Sequence, residues 1–176
     1  MKKFLLTIFA AIFAVTLFAG DAPRGWTTDI NAALARAKRE NKRVLILFTG
    51  SDWCGFCVRL KDDVLNKSAF KNLARDNFIL VYFDFPRRNP PSDAQMRIQR
   101  QWQQRFGVRG YPTVIIVDGE GNKVGEIGGY RQEEAFLTEL RKYLPQRRGN
   151  QGNRGNGNRG NRGNQGNRGN RGSQRR

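Results

Sequence analysis

Two cysteines, Cys54 and Cys57, are the residues of this chain best suited to chemistry, and they lie in the run Trp53-Cys54-Gly55-Phe56-Cys57. They are the only thiols in 176 residues, and the sequence contains no His. Two thiols at this spacing can close a disulfide and open it again, which transfers two electrons. The lack of His excludes Cys-His and Ser-His hydrolysis and every metal site that uses imidazole.

The position of the pair in the chain favours reactive thiols. The run follows a continuous apolar stretch, Val44 to Phe48, which predicts a buried strand, and it opens a predicted helix that reaches Leu65. Free backbone N–H groups and the helix dipole stabilise a thiolate at a helix start and lower its pKa. We therefore predict Cys54 to be the exposed nucleophile and Cys57, one turn deeper, to resolve the mixed disulfide.

A static disulfide, a zinc site and a haem attachment site are the alternative roles of this pair. A disulfide across two residues closes too small a loop to restrict the unfolded chain much. A zinc site would need two further ligands, either carboxylates or groups from another chain. Haem attachment would need His where Val58 stands and is excluded. Thiol exchange requires no metal or organic cofactor, because the cysteines carry both electrons.

Hydrophobic patterns predict that residues 25–145 form one α/β domain around these cysteines. Strands are predicted at 44–48, at 78–83 and in a hairpin of 113–117 and 123–127. Predicted helices begin after Asp29, near Cys54, at a Ser68 cap and after Ser92, and the last carries Phe136 to Leu144 and ends at Pro145. This order predicts a mixed β-sheet flanked by helices.

A second motif, Gly110-Tyr111-Pro112-Thr113, stands just before the predicted hairpin. Through this motif, the cysteine run and the order of strands and helices, the chain resembles the thioredoxin superfamily, and in particular exported bacterial disulfide reductases. The resemblance implies a thioredoxin fold and a protein thiol-disulfide oxidoreductase. It also implies a cis bond before Pro112 and a place for Pro112 against the cysteine pair.

The resemblance further implies how substrates bind. An extended peptide would pair with the backbone of Tyr111 beside Cys54. Trp53, Gly55 and Phe56 complete the substrate-binding residues that it implies. The expected partners are protein disulfides or dithiols and a membrane or soluble redox protein, and the expected oligomeric state is a monomer.

Three departures from the superfamily concern proton transfer and the direction of electron flow. Phe48 stands six residues before Cys54, where many thioredoxins have a buried Asp, and the strand around Tyr82 lacks the matching Lys. Proton transfer at Cys57 must then use water or another group. The pair Gly55-Phe56 has neither the Pro of thioredoxins nor the His of strong oxidants, so reductase and oxidase directions both remain open.

Three charged residues near the cysteines have predicted roles of their own. Asp52 is predicted to cap the helix that follows it. Arg59 and Lys61 are predicted to lie on a solvated face, from which either could attract acidic substrate segments.

The amino-terminal residues 1–19 predict a signal peptide. Lys2 and Lys3 precede the run Phe4 to Ala19, which is interrupted only by two Thr residues and is short for a membrane span. Cleavage after Ala19 would release an extracytoplasmic, periplasmic protein, in a compartment where disulfides persist. An uncleaved membrane anchor is the alternative.

The carboxyl-terminal residues 146–176 predict a disordered tail. The whole chain carries 32 basic and 15 acidic residues, a net charge of +17, and 9 of the Arg residues lie in this tail with no acid and no apolar side chain. Such a tail favours a second function, polyanion binding or surface retention, with the folded domain as a scaffold. It contains no aromatic residue to stack on bases. A solvated extension is the simpler interpretation.

Overall fold

The structure is a computed structural model and describes residues 22–146. The predicted signal peptide at 1–19 lies outside the described residues, as does the predicted tail at 146–176 apart from Gln146, so both remain predictions. Within the described range, no helix is long and apolar enough to span a membrane.

The described residues form five strands, β1 Trp26–Thr27, β2 Arg43–Thr49, β3 Phe78–Asp84, β4 Thr113–Val117 and β5 Lys123–Gly128. They make one mixed sheet in the order β1-β3-β2-β4-β5. Strands β1, β2 and β3 are parallel, whereas β4 is antiparallel to both β2 and β5. The helices are α1 Ile30–Glu40, α2 Gly55–Leu60, α3 Ser68–Asn77, α4 Asp93–Arg105 and α5 Glu133–Arg141. This confirms the predicted α/β thioredoxin fold, a mixed sheet with flanking helices.

Helices cover both faces of the sheet, which explains why β2 is apolar at successive positions. Alternate residues of β2 enter two different cores, because side chains alternate along a strand. Leu45 and Leu47 pack with α2, α3 and α5 on one face. Val44, Ile46 and Phe48 pack with α1 and α4 on the other face. The cysteines lie at the carboxyl end of β2, on the face that α2 covers.

Local structure differs from the sequence-based prediction at three helix ends. After Leu60, α2 continues as one π-helical turn, Lys61–Leu65. Ser68 is the first residue of α3 and does not cap it, because Lys67 holds the capping position. The last helix ends at Arg141, before Pro145, so the proline does not terminate it. Strand β1 is too short to produce a pattern in the sequence.

Candidate functional site

The two cysteines form a disulfide at the start of α2, with 5.2 Å between their Cα atoms. Cys54 itself caps the helix, and its Sγ accepts a hydrogen bond of 3.2 Å from the backbone N–H of Cys57. The residues are 8% and 4% exposed, respectively. The prediction of an exposed Cys54 is therefore wrong for the disulfide form, because its sulfur turns toward the helix. Cys54 is still the more accessible of the two.

Trp53 is fixed at the outer edge of the site although 40% of it is exposed. Its indole Nε1 donates a 2.8 Å hydrogen bond to the carbonyl of Phe85, in the loop after β3. The indole lies edge-on to Tyr111, with 5.7 Å between ring centroids, and the Arg87 guanidinium lies 4.9 Å from its centroid. It also covers Gly50 so closely that a Cβ there would overlap the ring. These contacts hold Trp53 in one orientation.

Asp52 does not cap α2, contrary to the prediction, because the helix begins at Gly55 and Cys54 takes the capping position. The Asp52 carboxylate instead accepts hydrogen bonds of 2.9 and 2.7 Å from the backbone N–H groups of Arg87 and Arg88. These bonds lower the pKa of Asp52. Asp52 thus ties the loop after β3 to the cysteine loop.

The motif around Pro112 lies beside Trp53. The Tyr111–Pro112 peptide bond is cis, as the resemblance implied. The Tyr111 ring stacks on Phe85 with 5.3 Å between centroids, and its hydroxyl accepts a 2.8 Å hydrogen bond from Gln103. Burial raises the pKa of the Tyr111 phenol. The two sequence motifs therefore meet through the Trp53 and Tyr111 rings.

A further aromatic contact on the other side of the cysteines was not predicted. Phe56 is 58% exposed and stacks on Tyr130, with 6.4 Å between centroids. The Arg59 guanidinium lies 4.4 Å from the Tyr130 centroid, and the Tyr130 hydroxyl donates a 2.8 Å hydrogen bond to Asp63. Arg59 thus stays on a solvated face, as predicted, but stacks on a ring there. Tyr130 follows β5, and no local pattern relates it to Phe56.

On the inner side of Cys57, the structure differs from the sequence-based comparison with thioredoxins, which assigned Phe48 to the position of the buried Asp. Phe48 faces the opposite core and does not lie under the cysteines. Leu47 and Thr49 line a small pocket that Cys57 also lines, together with Tyr82 from β3. Leu47 therefore occupies the strand face where a buried acid would meet Cys57. Lys61 is exposed, as predicted, and it also lines this pocket.

Fold and site together define a thioredoxin-fold protein whose cysteine pair can exchange electrons as a dithiol and a disulfide. A family model described as a thioredoxin-like domain matches residues 30–144. The chain belongs to this thioredoxin-like family.

Similar proteins carry names from disulfide chemistry. The chain is 32% identical over 96 residues to disulfide bond reductase DsbH of Chlamydia pneumoniae, covering 54% of this chain and 58% of that protein. It is 24% identical over 135 residues to thioredoxin-related protein DsbJ of the same organism, covering 74% of this chain and 39% of that protein. The chain thus spans less than two thirds of both relatives. A solved structure titled DsbH oxidoreductase superposes with a TM-score of 0.65 and 28% identity, over 72% of this chain and 88% of that one.

Proposed function

We propose that this protein is an extracytoplasmic thiol-disulfide oxidoreductase that exchanges the Cys54–Cys57 disulfide with cysteines of other proteins. The observation that carries the proposal is the disulfide at the start of α2, with its first cysteine at the helix cap. The similarity to a disulfide bond reductase supports the reductase direction. The predicted signal peptide at 1–19 supports the location, and a membrane or soluble redox protein would restore the reduced pair.

The redox potential of the pair tests the direction of electron flow. A value near about −270 mV would suit a reductant, and one near about −120 mV an oxidant. We expect the former. Equilibration with glutathione or dithiothreitol buffers, followed by thiol alkylation and mass spectrometry, measures it. A value near that of strong oxidants would contradict the reductase assignment but leave thiol exchange intact.

We assign substrate binding to the surface around Cys54. Trp53 and Phe56 are large apolar side chains that remain exposed, at 40% and 58%. Gly55 separates the second of these from Cys54 and leaves open space above the helix start. The backbone of Tyr111 would pair with an extended substrate segment, whereas the Pro112 carbonyl already accepts a hydrogen bond from the backbone N–H of Gly129. Such a surface suits a partly unfolded protein, because apolar side chains around its cysteines can be buried on binding.

Phe56→Ala separates this binding surface from the reacting sulfurs. We expect KM for a protein disulfide to rise about tenfold, equivalent to roughly 1.4 kcal/mol, as for an aromatic contact residue. Stability should change little, because the ring is more than half exposed. A small disulfide serves as the control, since it reaches Cys54 without covering Phe56. Equal losses with both substrates would contradict the assignment.

The basic tail supports a second candidate function, polyanion binding. Nine Arg residues and no acid lie within residues 146–176, and such charge binds polyanions in a salt-dependent way. We expect truncation after Pro145 to remove most heparin binding while leaving the melting temperature and disulfide exchange unchanged. Column retention at several salt concentrations measures the first effect, and thermal unfolding with an exchange assay measures the others. A large stability loss would show that the tail contributes to the fold.

A further inference from the structure

A small pocket lies against the inner side of Cys57, between α2 and the ends of β2 and β3. Its volume is about 30 Å³, enough for one water molecule. Three of its lining residues, Thr49, Ser51 and Tyr82, carry hydroxyl groups. We propose that these hydroxyls hold a water against Cys57, and that this hydroxyl-water group takes the proton of the Cys57 thiol when the mixed disulfide is resolved.

Hydroxyl groups interrupt a pocket lining that is otherwise mostly apolar. Thr49 is 3% and Tyr82 is 8% exposed, and they come from the neighbouring strands β2 and β3. The Ser51 side chain is close enough to the Tyr82 hydroxyl to oppose the rise of the Tyr82 pKa. Ser51 itself is exposed, so the hydroxyls run from the interior to solvent. A water in the pocket can bridge the Thr49 and Tyr82 hydroxyls, because ordered water bonds polar groups that line a pocket of this size.

Few charged groups near the pocket could accept the Cys57 proton in place of the water. Among the described residues that line the pocket, none has a carboxylate, and Lys61 supplies the only formal charge. The Lys61 side chain is half exposed, and its amine lies 3.9 Å from the Asp62 carboxylate. Asp84 lies next to Tyr82 and accepts a 2.9 Å hydrogen bond from the backbone N–H of Ser51.

Tyr82 would act as a neutral hydroxyl in this group. Burial, and secondly the charge of Asp84, raise its pKa to about 12. The phenol therefore stays protonated at neutral pH, where it can orient the water but does not become the base. The water takes the thiol proton and passes a proton to solvent by way of Ser51. The hydroxyl group thus replaces the buried acid that Leu47 cannot provide.

The chemical step rests on the proposed exchange activity. Cys54 and a substrate sulfur begin joined as a mixed disulfide. The Cys57 thiol gives its proton to the water, and its sulfur bonds to Cys54 Sγ. The bond between Cys54 and the substrate breaks, and the substrate sulfur leaves with the electron pair and is protonated from solvent. The cysteine pair is oxidised, and the substrate disulfide has been reduced to two thiols.

Tyr82→Phe tests the proposal, because it removes one hydroxyl and keeps the ring. The reduced protein reacts once with a protein disulfide, and acid quenching with mass spectrometry follows the formation and decay of the mixed disulfide from pH 5 to pH 10. We expect decay to slow roughly tenfold at pH 6, less than the roughly 10²–10⁴-fold of a complete general base, because the variant removes only one hydroxyl of the group. The difference from wild type should vanish at high pH, where the Cys57 thiol ionises unaided. Formation of the mixed disulfide should keep its rate.

Two further variants make the result specific. Thr49→Val should slow decay with the same pH dependence. Tyr143→Phe removes a partly buried hydroxyl that bonds Glu139 and lies outside the pocket, so it should match wild type at every pH. Wild-type decay in both pocket variants, or slowing that is equal at all pH values, would overturn the proposal while leaving the exchange function intact. A wild-type protein that forms no mixed disulfide would overturn both.

Discussion

The surroundings of Cys54 and Cys57 differ although the two residues share one helical turn. On the outer side of Cys54, cations and hydrogen bonds hold the aromatic rings. The Trp53 indole donates a hydrogen bond to the Phe85 carbonyl, and the Tyr130 hydroxyl donates one to the Asp63 carboxylate. On the inner side of Cys57, hydroxyl groups near the ends of β2 and β3 help to line a small pocket. The outer surface carries the exposed rings of Trp53 and Phe56, whereas the inner pocket has a volume of only about 30 Å³.

This difference suggests a division of work between the cysteines. A nucleophile that meets protein disulfides needs apolar surface nearby, since burying that surface drives association. A resolving thiol needs a proton acceptor and protection from other disulfides. The chain provides the two sets of groups from different elements: the loops after β2 and β3 supply Trp53 and Arg87, and the strand ends supply Thr49 and Tyr82. Variants of one set should therefore leave the other step intact.

Exchanging each cysteine for serine gives the largest expected effects and tests the division directly. Cys54→Ser should abolish reduction of a protein disulfide, because the remaining thiol, Cys57, is only 4% exposed and has no second thiol with which to close a disulfide. Cys57→Ser should still attack and then retain the substrate as a mixed disulfide, because no thiol resolves it. Non-reducing gels and mass spectrometry detect the trapped complex. Trapping by Cys54→Ser and not by Cys57→Ser would reverse the assignment of the two roles.

Gly50→Ala should disturb the outer surface by displacing Trp53. The added methyl group would overlap the indole, so we expect a stability loss of about 1–3 kcal/mol, as for other overpacked contacts. KM for a protein disulfide should also rise. Urea unfolding and steady-state assays measure the two effects.

Gly55→Ala is the matched control for that variant. A Cβ at Gly55 meets no atom within 4 Å, and Ala favours a helix over Gly by up to about 1 kcal/mol. Stability should therefore hold or increase. If both variants were equally destabilised, close packing of Trp53 on Gly50 would not explain the result.

Apart from β1, the order of the elements could be predicted from the sequence, and the resemblance to thioredoxins implied that the two motifs meet. The apolar run of β2 is unbroken because both sheet faces are covered, and such runs are recognisable without a structure. The cysteine pair follows β2 after a short loop, so its position at the start of a helix could be predicted. Only the resemblance to thioredoxins predicted that Pro112 lies beside the cysteine pair.

The surroundings of the cysteines were harder to predict, for two physical reasons. Phe48 was identified by counting back from Cys54, but strand side chains alternate, so one residue more or less in the connecting loop changes the face. Because strand side chains alternate, Leu47 and Thr49 lie on the same face of β2 and Phe48 lies on the opposite face. This pattern could have corrected the assignment of Phe48 to the cysteine side. The contact of Phe56 with Tyr130 depends on how the chain continues after β5, which periodicity does not specify.

Asp52→Asn should have the smallest effect, because Asp52 is exposed and acts through two backbone hydrogen bonds to the loop after β3. Those bonds, from Arg87 and Arg88, lower the pKa of the carboxyl from its usual 3.8. A carboxyl with a lowered pKa in the folded state stabilises the fold above its unfolded pKa, and this contribution is lost as the pH falls through the folded value. Wild type should therefore melt slightly above Asp52→Asn at pH 6 to 7. The gap should shrink below about pH 4 and close once Asp52 is protonated. Thermal unfolding of both proteins between pH 2 and pH 7 measures it, and a gap that stays constant over this range would show that the carboxylate charge does not hold the loop.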